Sequence, residues 1–302
     1  SLVERAEKIR NGGVDPHDDN MLAVTNDGRK AALDMRLVDP EMPDSPGSKV
    51  NKLVDKVFSI WKETQKDKST QLVFCDLSTP KKEDEGFSVY NDVKKKLIGM
   101  GIPEKEIAFI HDADSDAKKL RLFDNVNAGS VRILIGSTEK MGAGMNVQRK
   151  LIAEHHLDAP WRPSDIEQRE GRIIRQGNEN PEVQIYRYVT EESFDAYMWQ
   201  TLEAKARFIA QVMTGNVSAR SAEDVEGAVL TYAEVKALAS GNPLVLKKMS
   251  IDNEVRRLQI LKADHSKNVY SMQNEILHLP KDIAFDKEAL KGYQKDLGIR
   301  QD

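Results

Sequence analysis

Short apolar segments alternate with helical segments through the middle of this 302-residue chain, and that alternation constrains the fold more than any other feature. Nearly continuous apolar strands are buried on both faces, and strands separated by helices pair in parallel. Residues 48–213 are therefore predicted to form a three-layer α/β domain with a mostly parallel sheet, closed by a helix that begins at Ser193. The predicted strands are QLVFCDL, EIAFIHD, VRILIG, LIAEHHL and VQIYRYV.

The segments on either side of this domain have a different character. Residues 1–47 contain a short helix and a polar loop. The segment DPEMPDSPGS follows at positions 39–48, and its prolines and glycine mark a boundary. Residues 214–302 are predicted to form a helical extension, in which apolar residues recur at spacings of three and four as in a coiled coil. Pro280 is predicted to end the long helix, and a shorter helix, Asp282–Leu297, to fold back on it as a hairpin.

Composition limits the classes of protein to consider. The net charge is only −4, so any basic patch for nucleic acid must be local. The single cysteine, Cys75, excludes an internal disulfide and fits a reducing cytoplasm. No apolar run approaches the roughly 20 residues of a membrane span, and the N-terminus lacks both an initiator methionine and the pattern of a signal peptide. We expect a cytoplasmic segment of a longer protein that has no contact with a membrane.

Residues 133–177 carry the side chains that indicate chemistry. A strand runs into the glycine-containing loop GSTEKMGAGMN, a second strand ends in Asp158, and a short helix follows. Gln168, Arg172 and Arg175 have the spacing i, i+4, i+7, so they are predicted to share one face of that helix. Planar, permanently charged guanidinium groups are suited to the negative charge that develops in phosphoryl transfer.

The opposite face of the same helix has an apolar spacing. Ile166 and Ile173 are seven residues apart and are predicted to anchor it in the core, with the arginines directed outward. A simpler interpretation is also open, in which the arginines make surface ion pairs with Glu167 and Glu170, each worth less than about 1 kcal/mol.

The glycine loop allows three interpretations. Gly142 and Gly144 fit the start of a dinucleotide fingerprint, but Val147 occupies the third glycine position. The glycines could instead serve only an ordinary tight turn. In the third interpretation the loop backbone lies close to a phosphate, and Ser137 and Thr138 supply hydroxyl donors.

Other kinds of site lack the residues they need. The segment DADSDA begins like a calcium loop, but Ala117 replaces the required glycine and Phe123 replaces the bidentate acid. His155 and His156 point to opposite sides of a strand and cannot chelate one metal together. The sequence also has no G-x-x-x-x-G-K-[ST] phosphate loop and no Asp-Glu pair ending a strand. If the arginines act on ATP, this chain carries only half of the site.

These motifs resemble the second RecA-like lobe of superfamily-two helicases, and in particular the Snf-type DNA translocases. QLVFCDL resembles motif IV, and ILIGSTEKMGAGMNVQ resembles motif V. HHLDAPWRPSDIEQREGRIIRQGN resembles the Asp-Pro-x-Trp-Asn-Pro stretch followed by motif VI, in its Gln-x-x-x-Arg-x-x-Arg form. The resemblance covers residues 48–211. It departs from the family at residues 139–141, where Lys-Ala-Gly is usual, and at Arg162, which replaces an asparagine.

The resemblance implies roles for individual residues. Arg172 and Arg175 would be catalytic arginine fingers, and ATP with Mg²⁺ would be held mainly by a first RecA-like lobe that this chain lacks. The other matched residues would contact nucleotide or DNA: Gly142, Gly144, Asn146 and Gln168 on the nucleotide side, Ser137 and Thr138 on the DNA backbone.

The flanking segments resemble another group of helicases. Residues 15–37 and 240–276 are similar to the very large helicase proteins of phages, plasmids and integrative elements, in which the motor is often fused to an adenine-N6 DNA methyltransferase. No methyltransferase motif occurs here, so that domain would lie elsewhere in the parent chain.

These observations lead to one expected function and one alternative. We expect a motor lobe that works on double-stranded DNA together with a first lobe, and that alone neither hydrolyses ATP nor translocates. The alternative is a non-catalytic scaffold for DNA or protein whose helical tail recruits a partner. A small-molecule enzyme on a Rossmann-like sheet would need the complete fingerprint that is absent.

Overall fold

The computed structural model describes residues 2–15, 17–82, 86–142, 145–191, 193–213 and 243–299. The chain forms two compact units, the first containing residues 1–210 and the second containing the residues from 244 onward. The two units are described separately below. The predicted boundaries at 47/48 and 213/214 stay predictions.

The first unit is built on a five-stranded sheet in which every pairing is parallel, in the order β2-β3-β1-β4-β5. All five predicted strands are present, and the α/β prediction is confirmed. The strands are β1 (Thr70–Phe74), β2 (Ile107–Phe109), β3 (Ile133–Gly136), β4 (Leu151–His156) and β5 (Gln184–Arg187).

Helices connect these strands and precede them. They are α1 (Leu2–Arg10), α2 (Met21–Leu33), α3 (Lys49–Glu63), α4 (Val89–Gly99), α5 (Asp116–Asn127), α6 (Thr138–Gly142), α7 (Pro163–Glu170) and α8 (Phe194–Met213). The sequence specifies several helix ends. Ser48 Oγ accepts the backbone N–H of Asn51 and starts α3, and Ser115 caps α5 in the same way through Lys118. Gly129 follows α5 with a φ of +74°, a conformation that favours glycine.

Helices cover both faces of the sheet, which gives three layers. Residues of β1 alternate between the two faces: Val73 packs with α3 and α4, whereas Leu72 and Phe74 pack with α5 and α6. On the first face the helices supply Val50, Leu53, Val57, Tyr90 and Leu97; on the second they supply Phe123, Val126 and Met141.

Helices α2 and α8, near the two ends of this unit, are attached to each other and to α3. A buried ion pair of 2.6 Å between Lys49 Nζ and Asp195 Oδ2 joins α3 to α8. Gly28 of α2 lies so close to the ring of Phe194 that a Cβ there would come within 2.6 Å of it. The Thr190 hydroxyl donates to the carbonyl of Ala32, 2.8 Å away. Helix α2 therefore packs on the lobe, although it precedes the predicted boundary.

The second unit contains α9, a single helix from Pro243 to Ile299. The predicted hairpin, with a turn at Pro280 and a returning helix over Asp282–Leu297, is therefore wrong. Pro280 lies inside the helix, where it removes one N–H donor without ending the helical segment. The segment LPKD contains no glycine or asparagine that would favour a tight turn. Among the described residues, no helix combines the length and the apolar character needed to cross a bilayer.

Candidate functional site

A cleft opens at the carboxyl edge of the sheet. Phe74 at the end of β1 lies beside Gly136 on one side and His156 on the other, so the three strands end level. The residues that follow these strands line the cleft, which has a volume of about 760 Å³. Its lining includes Asp76, Ser137, Thr138, Lys140, Asp165 and Gln168. Parallel α/β sheets bind their ligands at this edge.

Asp76 connects the floor of the cleft to the start of α6. Its Oδ1 accepts the backbone N–H of Thr138 at 2.6 Å, and its Oδ2 accepts the Thr138 hydroxyl at 2.7 Å. The same Oδ2 accepts Nη2 of Arg169 at 2.7 Å. A single carboxylate therefore fixes the position of the predicted DNA-contacting loop relative to α7.

Arg169 is the central residue beneath the cleft, although sequence reasoning missed it. Its side chain is fully buried and lies 5.1 Å from the Phe74 ring. Nε donates to the Thr138 hydroxyl at 2.8 Å, and Nη1 donates to the carbonyl of Asp158 at 3.1 Å. The signal that could have found it is its spacing: Arg169 lies between Ile166 and Ile173 on the face predicted to point inward.

Asp158 completes this buried polar network. Its Oδ2 accepts the backbone N–H groups of Asp76 and Leu77 at 2.6 and 2.7 Å, and its Oδ1 lies 3.5 Å from Arg169 Nη2. Burial, together with the nearby carboxylate of Asp76, raises the pKa of Asp158 above its ordinary value. The cation of Arg169 partly offsets this effect, so the network depends on that arginine.

Helix α2 adds a second buried arginine to the region. Arg29 Nη2 donates to the carbonyl of Ala159 at 2.6 Å, and its guanidinium lies 4.1 Å from the centre of the Trp161 ring. Burial lowers the pKa of Arg29, while the carboxylates of Asp158 and Asp76 act in the opposite direction. The N-terminal segment thus supports the loop that leads into α7.

The two predicted DNA-contacting residues line the cleft but are largely buried. Ser137 is 9% exposed and Thr138 is 8% exposed. Ser137 Oγ accepts the backbone N–H of Lys140 at 3.3 Å, and the Thr138 hydroxyl bridges Asp76 and Arg169. Both hydroxyl groups therefore have internal partners, and their contact with DNA stays a prediction.

Gln168, Arg172 and Arg175 do not all lie on one helix, contrary to the prediction. Helix α7 ends at Glu170, so Gln168 lines the cleft while Arg172 and Arg175 lie in the turns that follow. A Cβ on Gly171 would lie 2.8 Å from the carbonyl of Glu167, a close approach that glycine permits. The chain tightens there because the N–H of Arg172 bonds to the carbonyl of Arg169, three residues back.

Both arginines contact the segment that follows α6. Arg172 Nη1 donates to the carbonyl of Met145 at 3.0 Å, and Arg175 Nη1 donates to Oδ1 of Asn146 at 2.5 Å. Partial burial, and the neighbouring charge of Arg175, lower the pKa of Arg172. The structure therefore brings Arg172, Arg175 and Asn146 together, as one group, and places Gln168 with Ser137 and Thr138.

Ile166 and Ile173, the two residues predicted to anchor the helix, pack in different apolar clusters. Ile173 is buried in the sheet core beside α5, whereas Ile166 packs against a smaller cluster formed by Ala159, Met198 and Leu202. The α7 region is therefore held between two apolar clusters rather than against one.

The glycine loop is partly helical. Helix α6 occupies Thr138–Gly142, and Gly142 is its last residue. Gly144 lies outside the described residues. Asn146 is exposed, and its carbonyl accepts Nδ2 of Asn127 at 2.7 Å.

The two histidines of β4 have separate surroundings, as the strand geometry predicts. His155 lies between Tyr188 and Gln71, with ring nitrogens 2.8 and 3.0 Å from their oxygens. His156 Nε2 lies 2.9 Å from Oε1 of Glu154, and both side chains are fully buried. Burial lowers the pKa of His156 to about 2 and raises the pKa of Glu154 to about 8. No metal-binding group of His, Cys, Asp and Glu occurs among the described residues.

Comparison with known proteins places the site inside a recognised domain. Residues 48–177 match the family described as helicase conserved C-terminal domain. The chain is 32% identical over 119 residues to "Defense against restriction protein B" of Escherichia phage P1, which is 39% of this chain and 5% of that protein. It is 34% identical over 87 residues to "Uncharacterized ATP-dependent helicase YqhH" of Bacillus subtilis (strain 168), which is 28% of this chain and 15% of that protein.

The chain spans only a small part of these curated relatives. Among solved structures, "Crystal structure of the C-terminal part of Fun30 ATPase domain" has 17% identity and a TM-score of 0.42, covering 72% of this chain and 62% of that one. The sequence from 48 to 177, which contains every predicted site residue, is thus similar to the C-terminal domain of ATP-dependent helicases.

Proposed function

We propose that this chain acts as the second RecA-like motor lobe of a Snf-type, ATP-dependent DNA helicase or translocase. Arg172 and Arg175 act on the γ-phosphate of ATP, and another lobe supplies the phosphate loop and the Mg²⁺ ligands. The proposal is supported by the helicase-domain match over residues 48–177 and by the absence of a phosphate loop from the sequence.

The observation that carries the proposal is the set of hydrogen bonds made by Arg169. This one side chain contacts Thr138, at the start of the cleft loop, and lies three residues before Arg172. It also bonds to Asp76, which holds the same loop. A displacement of the segment at Thr138 would therefore move Arg169 and, through it, the turns that carry Arg172 and Arg175. A motor that couples DNA binding to ATP hydrolysis requires such a connection.

The arrangement of the two arginines suits an anion. Their guanidinium groups contact consecutive residues, Met145 and Asn146. Partial burial lowers the pKa of Arg172, and repulsion from the charge of Arg175 lowers it further. An arriving phosphate would relieve this repulsion and offer each guanidinium stronger acceptors than a carbonyl or an amide. Arginine fingers contribute in this way by stabilising the charge of the transferring phosphoryl group.

The remaining roles extend the same proposal. Gly142, Gly144, Asn146 and Gln168 lie on the nucleotide side, and Ser137 and Thr138 contact the backbone of double-stranded DNA. The parent protein is a large cytoplasmic protein of a mobile element, of the group in which the motor is often fused to a methyltransferase domain. A phage P1 protein that is similar to this chain supports an origin in a mobile element. The chain covers 5% of that protein, which supports a large parent protein.

A specific observation favours the alternative of a non-catalytic scaffold. Arg172, Arg175 and Thr138 all have partners within the chain, as residues with a purely structural role would. In that case the lobe holds a shape and the tail recruits a partner.

Charge reversal of Arg172 in the natural protein that contains this sequence distinguishes the two functions. We expect Arg172→Glu to reduce DNA-stimulated ATP turnover by about 10³-fold or more, the range of arginine-finger losses. Arg121→Glu is the matched control, because Arg121 is exposed on α5 and away from the cleft. If ATP turnover is the same in Arg172→Glu and the control, the motor proposal is wrong and the scaffold is favoured.

A further inference from the structure

Helix α9 carries a regular apolar seam along most of its length. From Ile251 to Tyr293 the seam residues follow one another at alternating spacings of four and three, which is the heptad period of a coiled coil. Ten of the thirteen seam residues are apolar. The seam continues past Pro280, because that residue lies on the flank beside it.

The seam residues that the structure describes are exposed, except Val269, which is half-buried. Met272 is 54% exposed, Ile276 is 66% exposed and Leu279 is 48% exposed. Soluble proteins rarely leave contiguous apolar surface of this extent in water, so a seam of this kind marks an interaction site. The three polar seam residues, Lys262, His265 and Asp286, then determine which partner fits.

The positions of the two charged seam residues are symmetric. Lys262 and Asp286 each lie twelve residues from Asn274, on opposite sides of it. In an antiparallel pair of α9 helices crossing at Asn274, Lys262 of each copy faces Asp286 of the other. The same alignment places Leu258 of one copy opposite Leu290 of the other. Between these two positions, each facing pair of seam residues contains either an apolar residue or two opposite charges.

A parallel pair is much less favourable. It would place Lys262 against Lys262 and Asp286 against Asp286 in the seam, where like charges are both close together and partly removed from water. Between the paired Leu258 and Leu290 layers, the antiparallel pair has one like-charge contact, between the two copies of Glu275, and this lies on the solvated flank where the cost is small.

We propose that α9 is a self-association surface that joins two copies of this chain in an antiparallel coiled coil centred on Asn274. The occupant is a second copy because Lys262 and Asp286 attract each other when the same helix is laid against itself in the opposite direction. Binding to an unrelated partner would not require this symmetry. This inference is independent of the motor proposal, since it rests on residues outside the helicase-domain match.

Charge exchange in the 302-residue chain tests the orientation. We expect sedimentation equilibrium to show a dimer, and Lys262→Glu or Asp286→Lys to weaken it by about tenfold or more, because each creates two like-charge contacts. The double variant Lys262→Glu/Asp286→Lys restores opposite charges and should return the dissociation constant to within about threefold of the original. Lys267→Glu, an exposed charge on α9 outside the seam, is the control and should have little effect.

Disulfide trapping gives an independent test of the same register. A mixture of Leu258→Cys and Leu290→Cys chains should form a cross-linked heterodimer, while neither variant alone should cross-link above the unsubstituted chain. A monomer at every concentration overturns the proposal, as does a dimer that none of the α9 charge changes affects. Cross-linking of Leu258→Cys with itself, or a double variant as weak as the single ones, overturns the antiparallel register.

Discussion

Arg169 and Asp76 are 93 positions apart in the sequence and are joined by a hydrogen bond of 2.7 Å between Nη2 and Oδ2. The bond lies directly beneath the cleft, and it connects the segment after the central strand to the helix that precedes the candidate arginine fingers. Because Arg169 also contacts Asp158, it is the cation that both carboxylates share.

Replacement of Arg169 should destabilise the lobe strongly. Arg169→Met leaves Asp76 and Asp158 without their common cation, and we expect it to lower the free energy of unfolding by about 3–5 kcal/mol. Arg169→Lys should cost less, because lysine keeps the charge but not the planar fork of donors. Urea unfolding followed by tryptophan fluorescence measures this, since all three tryptophans lie within residues 61–199.

Arg121→Met is the control for this experiment, because Arg121 is exposed. We expect it to change the free energy of unfolding by less than about 0.5 kcal/mol. Equal effects at positions 121 and 169 would contradict the central role of the buried network.

The packing of α2 on α8 gives a second prediction. Gly28→Ala places a Cβ within 2.6 Å of the Phe194 ring, which must shift, and we expect a loss of about 1–3 kcal/mol in stability. Gly99→Ala is the matched control, because this helical glycine has no atom within 4 Å of an added Cβ. It should stabilise the protein by up to about 1 kcal/mol through helix propensity. Thermal unfolding that ranks the two variants in the opposite order would show that α2 does not pack on the lobe.

Glu154 should make stability depend on pH. Burial raises the pKa of Glu154 from 4.5 to about 8 in the folded protein, so its contribution to stability is fully present below pH 4.5 and is lost as pH rises through 8. Glu154→Gln removes this titration. Relative to that variant, the original chain should lose stability between pH 5.5 and 8, with a slope approaching about 1.4 kcal/mol per pH unit.

Urea unfolding of both chains across this pH range measures the difference. The folded-state pKa values of His155 and His156 are lowered to about 3 and about 2 by burial, so their contributions are lost only as pH falls below about 6.5, the ordinary value for histidine. Above that pH the comparison therefore isolates Glu154. A difference in stability that does not change with pH would show that Glu154 is ionised in the folded state.

If this chain carries only half of the ATP site, the 302-residue chain alone should not hydrolyse ATP. With ATP, Mg²⁺ and double-stranded DNA, phosphate release should stay at the level without protein, because no phosphate loop is present to position the nucleotide. Weak DNA binding is the most we expect. Turnover that Arg172→Glu abolishes would show that this chain contains a complete site.

Much of the lobe could be predicted from local patterns. The five strands are short apolar runs, and Ser115, which caps α5, is of a residue type that is common at the start of helices, as is its neighbour Asp114. These features depend on neighbours in sequence, so a single sequence reveals them.

The rest depended partly on contacts between distant segments. Nothing near Arg169 in the sequence shows that Asp76 will meet it, and the position of Arg169 between two isoleucines at helical spacing does not by itself indicate a buried partner. The end of α7 at Glu170 depends on the close approach that Gly171 allows. The helix α9 continues through Pro280, where the neighbouring residues include no glycine or asparagine. The contacts of Arg169 are therefore tertiary, whereas the differences at Gly171 and Pro280 are local ones that helical spacing alone does not reveal.

The strand order has a consequence for synthesis on the ribosome. Strand β1 lies at the centre of the sheet, yet its two neighbours, β3 and β4, are translated after it, and β4 ends at His156. At roughly 5–20 residues per second, this apolar strand waits on the order of 4–16 s for its second neighbour. Amphipathic α3 emerges earlier and can shield one face of β1 during that interval. The nascent chain is therefore most exposed to misassociation before β4 has been made.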